Sequence, residues 1–202
     1  MVMKALGLAA LLVVATAWPA ASQEEEAECH ENESFVLIAY QRADEFTDFL
    51  VKAKSSPDQD IPCRFDPQPQ DFTVSGLDKT HSDDNRFYNF LAMKDDLLVV
   101  ERVEGGVGIT TSYVLMVDLK KRESSDEIGV SEELDEIDTA SVSFWKHTHI
   151  QPNRKNCPKD YKVNGGVKYE GAMAFIQRKI TLDLTSRKLS ESAVLRCIVL
   201  AD

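Results

Sequence analysis

A glycine-rich break between two apolar runs constrains the fold of this chain most strongly. Residues 97–119 read LLVVERVE, then GGVG, then ITTSYVLMVDL. Aliphatic and β-branched runs on both sides of a glycine turn predict a β-hairpin. The second run alternates, so Tyr113 and Leu115 lie on one face of the predicted strand, and Val114 and Met116 lie on the other.

Several further short strands are predicted, with turn residues between them. A block with four prolines, residues 55–70, interrupts them and excludes a central strand there. Residues 122–138 are acidic at eight of 17 positions and predict a solvated loop, with a lid or partner-binding arm as the alternative. Short strands at regular spacing, with turns between them, are typical of an all-β barrel or sandwich. The predicted strands outside the hairpin are residues 35–40, 71–77, 87–93, 140–151, 169–184 and 193–200.

One helix is predicted near the N-terminus, in residues 43–54. There Phe46, Phe49, Leu50 and Ala53 recur at helical spacing. A short amphipathic helix is the favoured interpretation, and a strand that pairs with the preceding strand is the alternative.

The first residues have the pattern of a secretory signal peptide. Lys4 precedes an apolar run over residues 5–17, and the small residues Ala20-Ala21-Ser22 suit a cleavage site. We therefore expect residues 1–22 to be removed and residues 23–202 to form a single secreted domain.

Cysteine usage agrees with an oxidising compartment. Cys29, Cys63, Cys157 and Cys197 are the four cysteines, and their wide spacing argues for two disulfides and against zinc. Three pairings are possible, and the sequence does not choose among them. Asn32-Glu33-Ser34 is an N-glycosylation sequon, which predicts a glycan on Asn32.

The net charge indicates what kind of partner the chain would attract. Removal of Lys4 with the signal peptide leaves 22 basic residues against 34 acidic residues, a formal charge of −12. Such an excess argues against nucleic acid and against anionic membranes as partners. It favours a cationic ligand or a basic protein.

Catalytic motifs are absent from the sequence. It contains no G-x-S-x-G element and no phosphate-binding glycine loop followed by a lysine. His147 and His149 alternate on a predicted strand and could meet one metal ion, but two histidines alone are a weak signal. We predict no enzyme activity, no cofactor and no metal site.

A small antiparallel barrel has an interior that can hold one small ligand. Aromatic side chains on the predicted strands would line such a pocket, and an acidic side chain, Asp95, Glu101 or Asp118, could hold an organic cation. The predicted ligand-binding residues are Tyr88, Phe90, Glu101, Tyr113, Asp118 and Trp145.

Several segments together resemble the salivary lipocalins of ticks, and the histamine-binding group in particular. The similarity covers residues 34–120 and rests on FVLIAY, DIPCRF, FYNFLAM and the central hairpin. It implies an eight-stranded barrel with two disulfides and with acidic and aromatic residues in the cavity. The family's tyrosine-glutamate-leucine-tryptophan run is absent, so no binding residue is carried over by position.

The predicted protein is thus a secreted lipocalin-like β-barrel with a short N-terminal helix and two disulfides. It would act as a monomer in saliva that sequesters a biogenic amine such as histamine or serotonin, or a lipid-like ligand, and so modulates host defence. The alternative is an inhibitor or immune modulator that binds a host protein through its surface. A cystatin-like α+β form belongs to this alternative.

Overall fold

The computed structural model is built almost entirely from antiparallel β-sheet. The predicted signal peptide lies outside the described part of the chain. So do residues 169–172, the start of one predicted strand. The structure describes residues 27–42, 46–78, 86–106, 109–125, 128–130, 134–153, 155–157 and 173–200.

The N-terminal sheet forms where the sequence predicted a strand and then a helix. The predicted helix is wrong: residues 46–53 are a strand that pairs with the preceding strand in unbroken register, from Phe35 opposite Ala53 to Arg42 opposite Phe46. This is the alternative that the sequence left open. In sheet order, the strands are β1 (Cys29–Glu31), β2 (Phe35–Arg42), β3 (Phe46–Ala53) and β4 (Phe72–Thr73).

A single helical turn follows β4 within residues 71–77, where the sequence predicted only a strand. This helix, α1 (Val74–Leu77), begins after Thr73, whose side-chain oxygen accepts a hydrogen bond from the backbone N–H of Gly76. Among the described residues it is the only helix, and it has four residues. A cystatin-like form with a sheet wrapped around a long helix is therefore not what these residues build.

The predicted hairpin forms the middle of the central sheet. Its strands pair from Leu97 opposite Asp118 to Gly106 opposite Ile109, as the alternation predicted. The acidic segment predicted to be a loop contributes short strands at the edge of this sheet and of the next. The central sheet contains β5 (Arg86–Lys94), β6 (Leu97–Gly106), β7 (Ile109–Asp118), β8 (Glu123–Ser124) and β9 (Ile128–Val130).

The C-terminal sheet holds the last four strands in chain order. Its two longest strands pair along most of their length, with an irregularity between Arg178 and Ile180. The strands are β10 (Leu134–Ile137), β11 (Ser141–His147), β12 (Met173–Asp183) and β13 (Lys188–Leu200).

The central sheet is buried on both faces, which explains the continuous apolar run at the start of β6. Leu98 and Val100 pack in a cluster with residues of the N-terminal sheet. Leu97 and Val99 point the other way and pack with residues of the C-terminal sheet. Since alternate residues of a strand point to opposite faces, a strand segment covered on both sides is typically a nearly continuous run of apolar residues.

Two disulfides fix the outer layers, as the cysteine count predicted. Cys29 bonds to Cys63 and Cys157 bonds to Cys197. The first bond ties the proline-rich segment to β1, and Ile61 of that segment packs on the outer face of the N-terminal sheet.

The closed barrel expected from the sequence is not found in the described residues. The described strands form three separate sheets instead. Buried side chains fill the two spaces between these layers, and Phe144, Leu98 and Leu115 are among the most deeply buried.

Candidate functional site

A cleft of about 660 Å³ opens where the turns of the N-terminal and central sheets meet. We call it the turn cleft. Phe35, Ala53 and Met93 supply apolar surface, and the remaining lining residues are polar or charged. It is formed by residues 32–35, residues 53–54, residues 93–96 and Lys120.

Two turns that are distant in sequence are joined across this cleft by one side chain. The Nδ2 of Asn32 donates a hydrogen bond to the backbone oxygen of Asp95 at 2.8 Å. The Oδ1 of Asn32 accepts hydrogen bonds from the backbone N–H groups of Ser34 at 2.8 Å and Phe35 at 2.9 Å. Asp95 has a φ of 52°, a left-handed conformation that Asp and Asn tolerate better than most residues.

The charged groups of the turn cleft differ in how far they are already paired. Lys54 forms an ion pair with Glu31 at 2.7 Å, and Asp96 forms one with Arg187. The Nζ of Lys94 donates to the hydroxyl of Thr185 at 2.6 Å.

Three other charged lining residues have no ion pair with another described residue. They are Glu33, Asp95 and Lys120, and all three are exposed. The carboxylates of Glu33 and Asp95 are therefore open to a ligand.

Two of the predicted ligand-binding residues come together elsewhere, on the face of the central sheet that covers the N-terminal sheet. Strand register places Arg102 between Tyr88 on β5 and Tyr113 on β7. The guanidinium of Arg102 lies 4.6 Å from the centre of the Tyr113 ring, and Arg102 is fully buried. Sequence reasoning missed Arg102, although it alternates with Leu98 and Val100 on a buried face.

The buried guanidinium of Arg102 is balanced by acidic partners. It donates to both carboxylate oxygens of Asp78, at 2.9 and 3.2 Å, and lies 3.0 Å from an oxygen of Glu104. Arg86 and the hydroxyl of Tyr88 also donate to Asp78, at 3.2 and 3.0 Å. We call these five residues the charged cluster.

Burial and hydrogen bonding determine the protonation of the tyrosine in the charged cluster. Burial raises the pKa of Tyr88 well above its ordinary value, and the negative charge of Asp78 adds to this effect. Tyr88 thus stays protonated and works as a donor. Both Asp78 oxygens accept hydrogen bonds from neighbouring side chains.

Two other predicted ligand-binding residues have local partners. The ring of Phe90 stacks on the ring of His30, with centroids 3.6 Å apart and planes 8° from parallel. Burial lowers the pKa of His30, although Glu28 opposes this shift. Glu101 accepts a hydrogen bond from Asn89 at 2.9 Å, on the face of β6 opposite to Arg102.

The remaining two predicted ligand-binding residues lie apart from these. Asp118 forms ion pairs with Arg187 at 3.1 Å and with Lys121 at 3.4 Å. Burial pushes the pKa of Asp118 upward, but hydrogen bonds from Lys121 and Arg187 outweigh it and lower the pKa. Trp145 is buried in the C-terminal sheet, with the guanidinium of Arg196 lying 4.3 Å from its ring centre.

The two histidines considered for a metal do not share a strand face. Strand β11 ends at His147, so His149 lies beyond it, and the ring of His147 packs edge-on against Phe175 at 4.8 Å. The part of the chain that the structure describes contains no group of three or more potential metal ligands. Within that same part, no helix combines the length and the hydrophobicity that crossing a membrane requires.

Comparison with known proteins gave no match to a family, to a curated protein or to a solved structure.

Proposed function

We propose that this protein is a secreted, non-catalytic binding protein that sequesters a small organic amine in the turn cleft. The observation that carries the proposal is the cleft itself, whose volume of about 660 Å³ falls in the range of small-molecule sites. Its apolar surface suits the ring or chain of an amphipathic molecule, and its exposed carboxylates suit an ammonium group.

Charge is the reason to prefer an amine over an anionic lipid. Lys54 is ion-paired with Glu31 and Lys94 donates to Thr185, so Lys120 is the one lining lysine without a bond to another described residue, and the exposed carboxylates of Glu33 and Asp95 outnumber it. The carboxylate of Asp95 stands at the tip of its turn, and Glu33 lies on the facing turn. The excess of acid over base in the whole chain also raises the local concentration of cations.

Secretion is part of the proposal, because two disulfides form and persist in oxidising compartments. More specifically, the proposed protein is lipocalin-like, as the sequence resemblance implies. Its amine ligand is histamine or serotonin, and removal of that amine weakens host defence. In this proposal the ligand lies at the end of the sheets, since Tyr88 and Arg102 occupy the space between layers.

Isothermal titration of the purified protein with histamine, serotonin and palmitate tests the proposal. The protein should be produced without glycans. The substitution Ala53→Trp fills the cleft from an exposed position, and Ala193→Trp, also exposed but on β13, is the matched control. We expect an amine to bind the native protein and the Ala193→Trp variant, and to bind Ala53→Trp about tenfold or more weakly.

A charge substitution separates the amine from other ligands. Asp95→Asn keeps a residue that tolerates the left-handed conformation, and Asp58→Asn is the control at an exposed loop position. Loss of a charge-assisted contact of about 1.5–3 kcal/mol should weaken amine binding roughly tenfold or more in Asp95→Asn alone. Binding of palmitate and of no amine, or equal affinities of the two tryptophan variants, would contradict the proposal.

The edge of the C-terminal sheet favours a second candidate, a protein-binding module. Among the strands that the structure describes, β13 lies at the edge of its sheet and has 13 residues, and edge strands can pair with an extended segment of another protein. Leu189, Val194 and Leu195 are 45%, 57% and 39% exposed along it. A host-protein partner whose capture is lost in Val194→Lys, with no amine binding, would favour this candidate.

A further inference from the structure

The predicted glycosylation sequon lies inside the proposed ligand site. Asn32, Glu33 and Ser34 all line the turn cleft. They form the tight turn immediately before β2, where the side chain of Asn32 accepts hydrogen bonds from two backbone N–H groups. The residue that would carry a glycan is thus held in one orientation at the cleft wall.

The Asn32 amide has an N–H bond that no other described residue uses. A primary amide has two N–H bonds. Among the described residues, the Nδ2 of Asn32 donates once, to the backbone oxygen of Asp95. Attachment of a sugar replaces one of these two hydrogens and leaves one N–H bond on the amide.

We propose that Asn32 carries an N-linked glycan whose first sugar stands in the mouth of the turn cleft and restricts entry to it. The group donor is a lipid-linked oligosaccharide of the secretory compartment. The Nδ2 atom forms a bond to C1 of the terminal sugar and loses one proton, while the bond from C1 to the lipid pyrophosphate breaks and the pyrophosphate leaves with the electron pair.

The position of the attachment atom explains the restriction. Nδ2 of Asn32 lies 2.8 Å from the backbone oxygen of Asp95, the residue whose carboxylate is proposed to hold the amine. A sugar attached there begins beside the ligand's charged group. This inference rests on the proposed function for its consequence, an occupied sequon that lowers ligand affinity. Attachment of the glycan and restricted access are measurable without any ligand.

The experiment compares three forms of the protein secreted from a eukaryotic host. Ser34→Ala destroys the sequon but keeps the backbone N–H that donates to Asn32, so the turn is preserved. Ser34→Thr keeps the sequon and is the matched control. Intact mass after secretion should show a glycan on the native protein and on Ser34→Thr, and none on Ser34→Ala.

Access to the cleft is then read from acylation of lysine side chains by an N-hydroxysuccinimide ester. Lys120 lines the cleft, and Lys155 is an exposed lysine outside it. We expect Lys120 to react more slowly in the two glycosylated forms than in Ser34→Ala, with Lys155 unchanged. Histamine should bind Ser34→Ala about tenfold or more tightly than it binds either glycosylated form.

Each outcome decides a separate claim. An unmodified Asn32 in the secreted native protein overturns the inference, and so does a glycan that leaves Lys120 equally reactive. A glycan that protects Lys120, together with no amine binding by Ser34→Ala, upholds the inference and overturns the proposed function.

Discussion

Replacement of the buried Arg102 by methionine should destabilise the protein strongly. The two side chains have similar length, so the main effect is loss of a charge that contacts Asp78 and Glu104. Removing one partner of a buried ion pair costs about 3–5 kcal/mol. We expect about 3 kcal/mol, at the lower end of that range, because Arg86 and Tyr88 still donate to Asp78.

Arg178→Met is the matched control, since Arg178 is also a strand arginine with an acidic partner. Its side chain is 34% exposed and its partner Glu191 is 62% exposed. Exposed pairs of this kind contribute about 0–1 kcal/mol. Urea unfolding followed by circular dichroism, with the disulfides intact, measures both variants.

For a domain of this size, 3 kcal/mol corresponds to a drop in melting temperature of roughly 6–12 °C. A loss below about 1 kcal/mol for Arg102→Met, equal to that of the control, would refute a structural role for the charged cluster.

Three further predictions concern stability. Because the folded state raises the pKa of Tyr88, it holds that proton while the unfolded chain releases it near pH 10, so stability should fall as pH rises above this value, and less in Tyr88→Phe. Because burial lowers the pKa of His30, stability should decline as pH falls below about 6.5, and His30→Phe should flatten this part of the pH profile. Joint replacement of Cys29 and Cys63 by serine opens a loop with a sequence separation of 34, and unfolding in urea should show a loss of about 3–4 kcal/mol. Urea unfolding across pH tests the Tyr88 and His30 predictions, and titration at 295 nm reports tyrosine ionisation. Urea unfolding also tests the double cysteine variant. A variant whose stability coincides with that of the native protein would contradict the corresponding prediction.

The hairpin could be predicted from the sequence because its alternation is local. Val114 and Leu115 point to opposite sides of β7, as the spacing indicated. The strand β3 was only the alternative to a helix, for a related reason. Phe49 and Leu50 are both buried, on opposite faces of the N-terminal sheet. Apolar residues on both faces erase the period of two and leave a spacing that also suits a helix.

The charged cluster and the turn cleft depend on contacts between distant segments. Tyr88 and Tyr113 were identified as candidates from their residue type, but Arg102 joins them only through strand register. Asp95 was one of three acids considered for a cation, and its place beside Asn32 follows from the packing of two turns 63 residues apart in sequence. No local pattern encodes such a pairing.

The location of a bound amine can be mapped with ¹⁵N NMR spectra of the unglycosylated protein during titration with histamine. Binding in the turn cleft should produce the largest shifts in the backbone amides of residues 32–35 and 93–96, which line it. No comparable shift is expected at Tyr113 or at the indole N–H of Trp145, which lie in other parts of the fold. Shifts centred on those two residues, or no shifts at all, would contradict binding in the turn cleft.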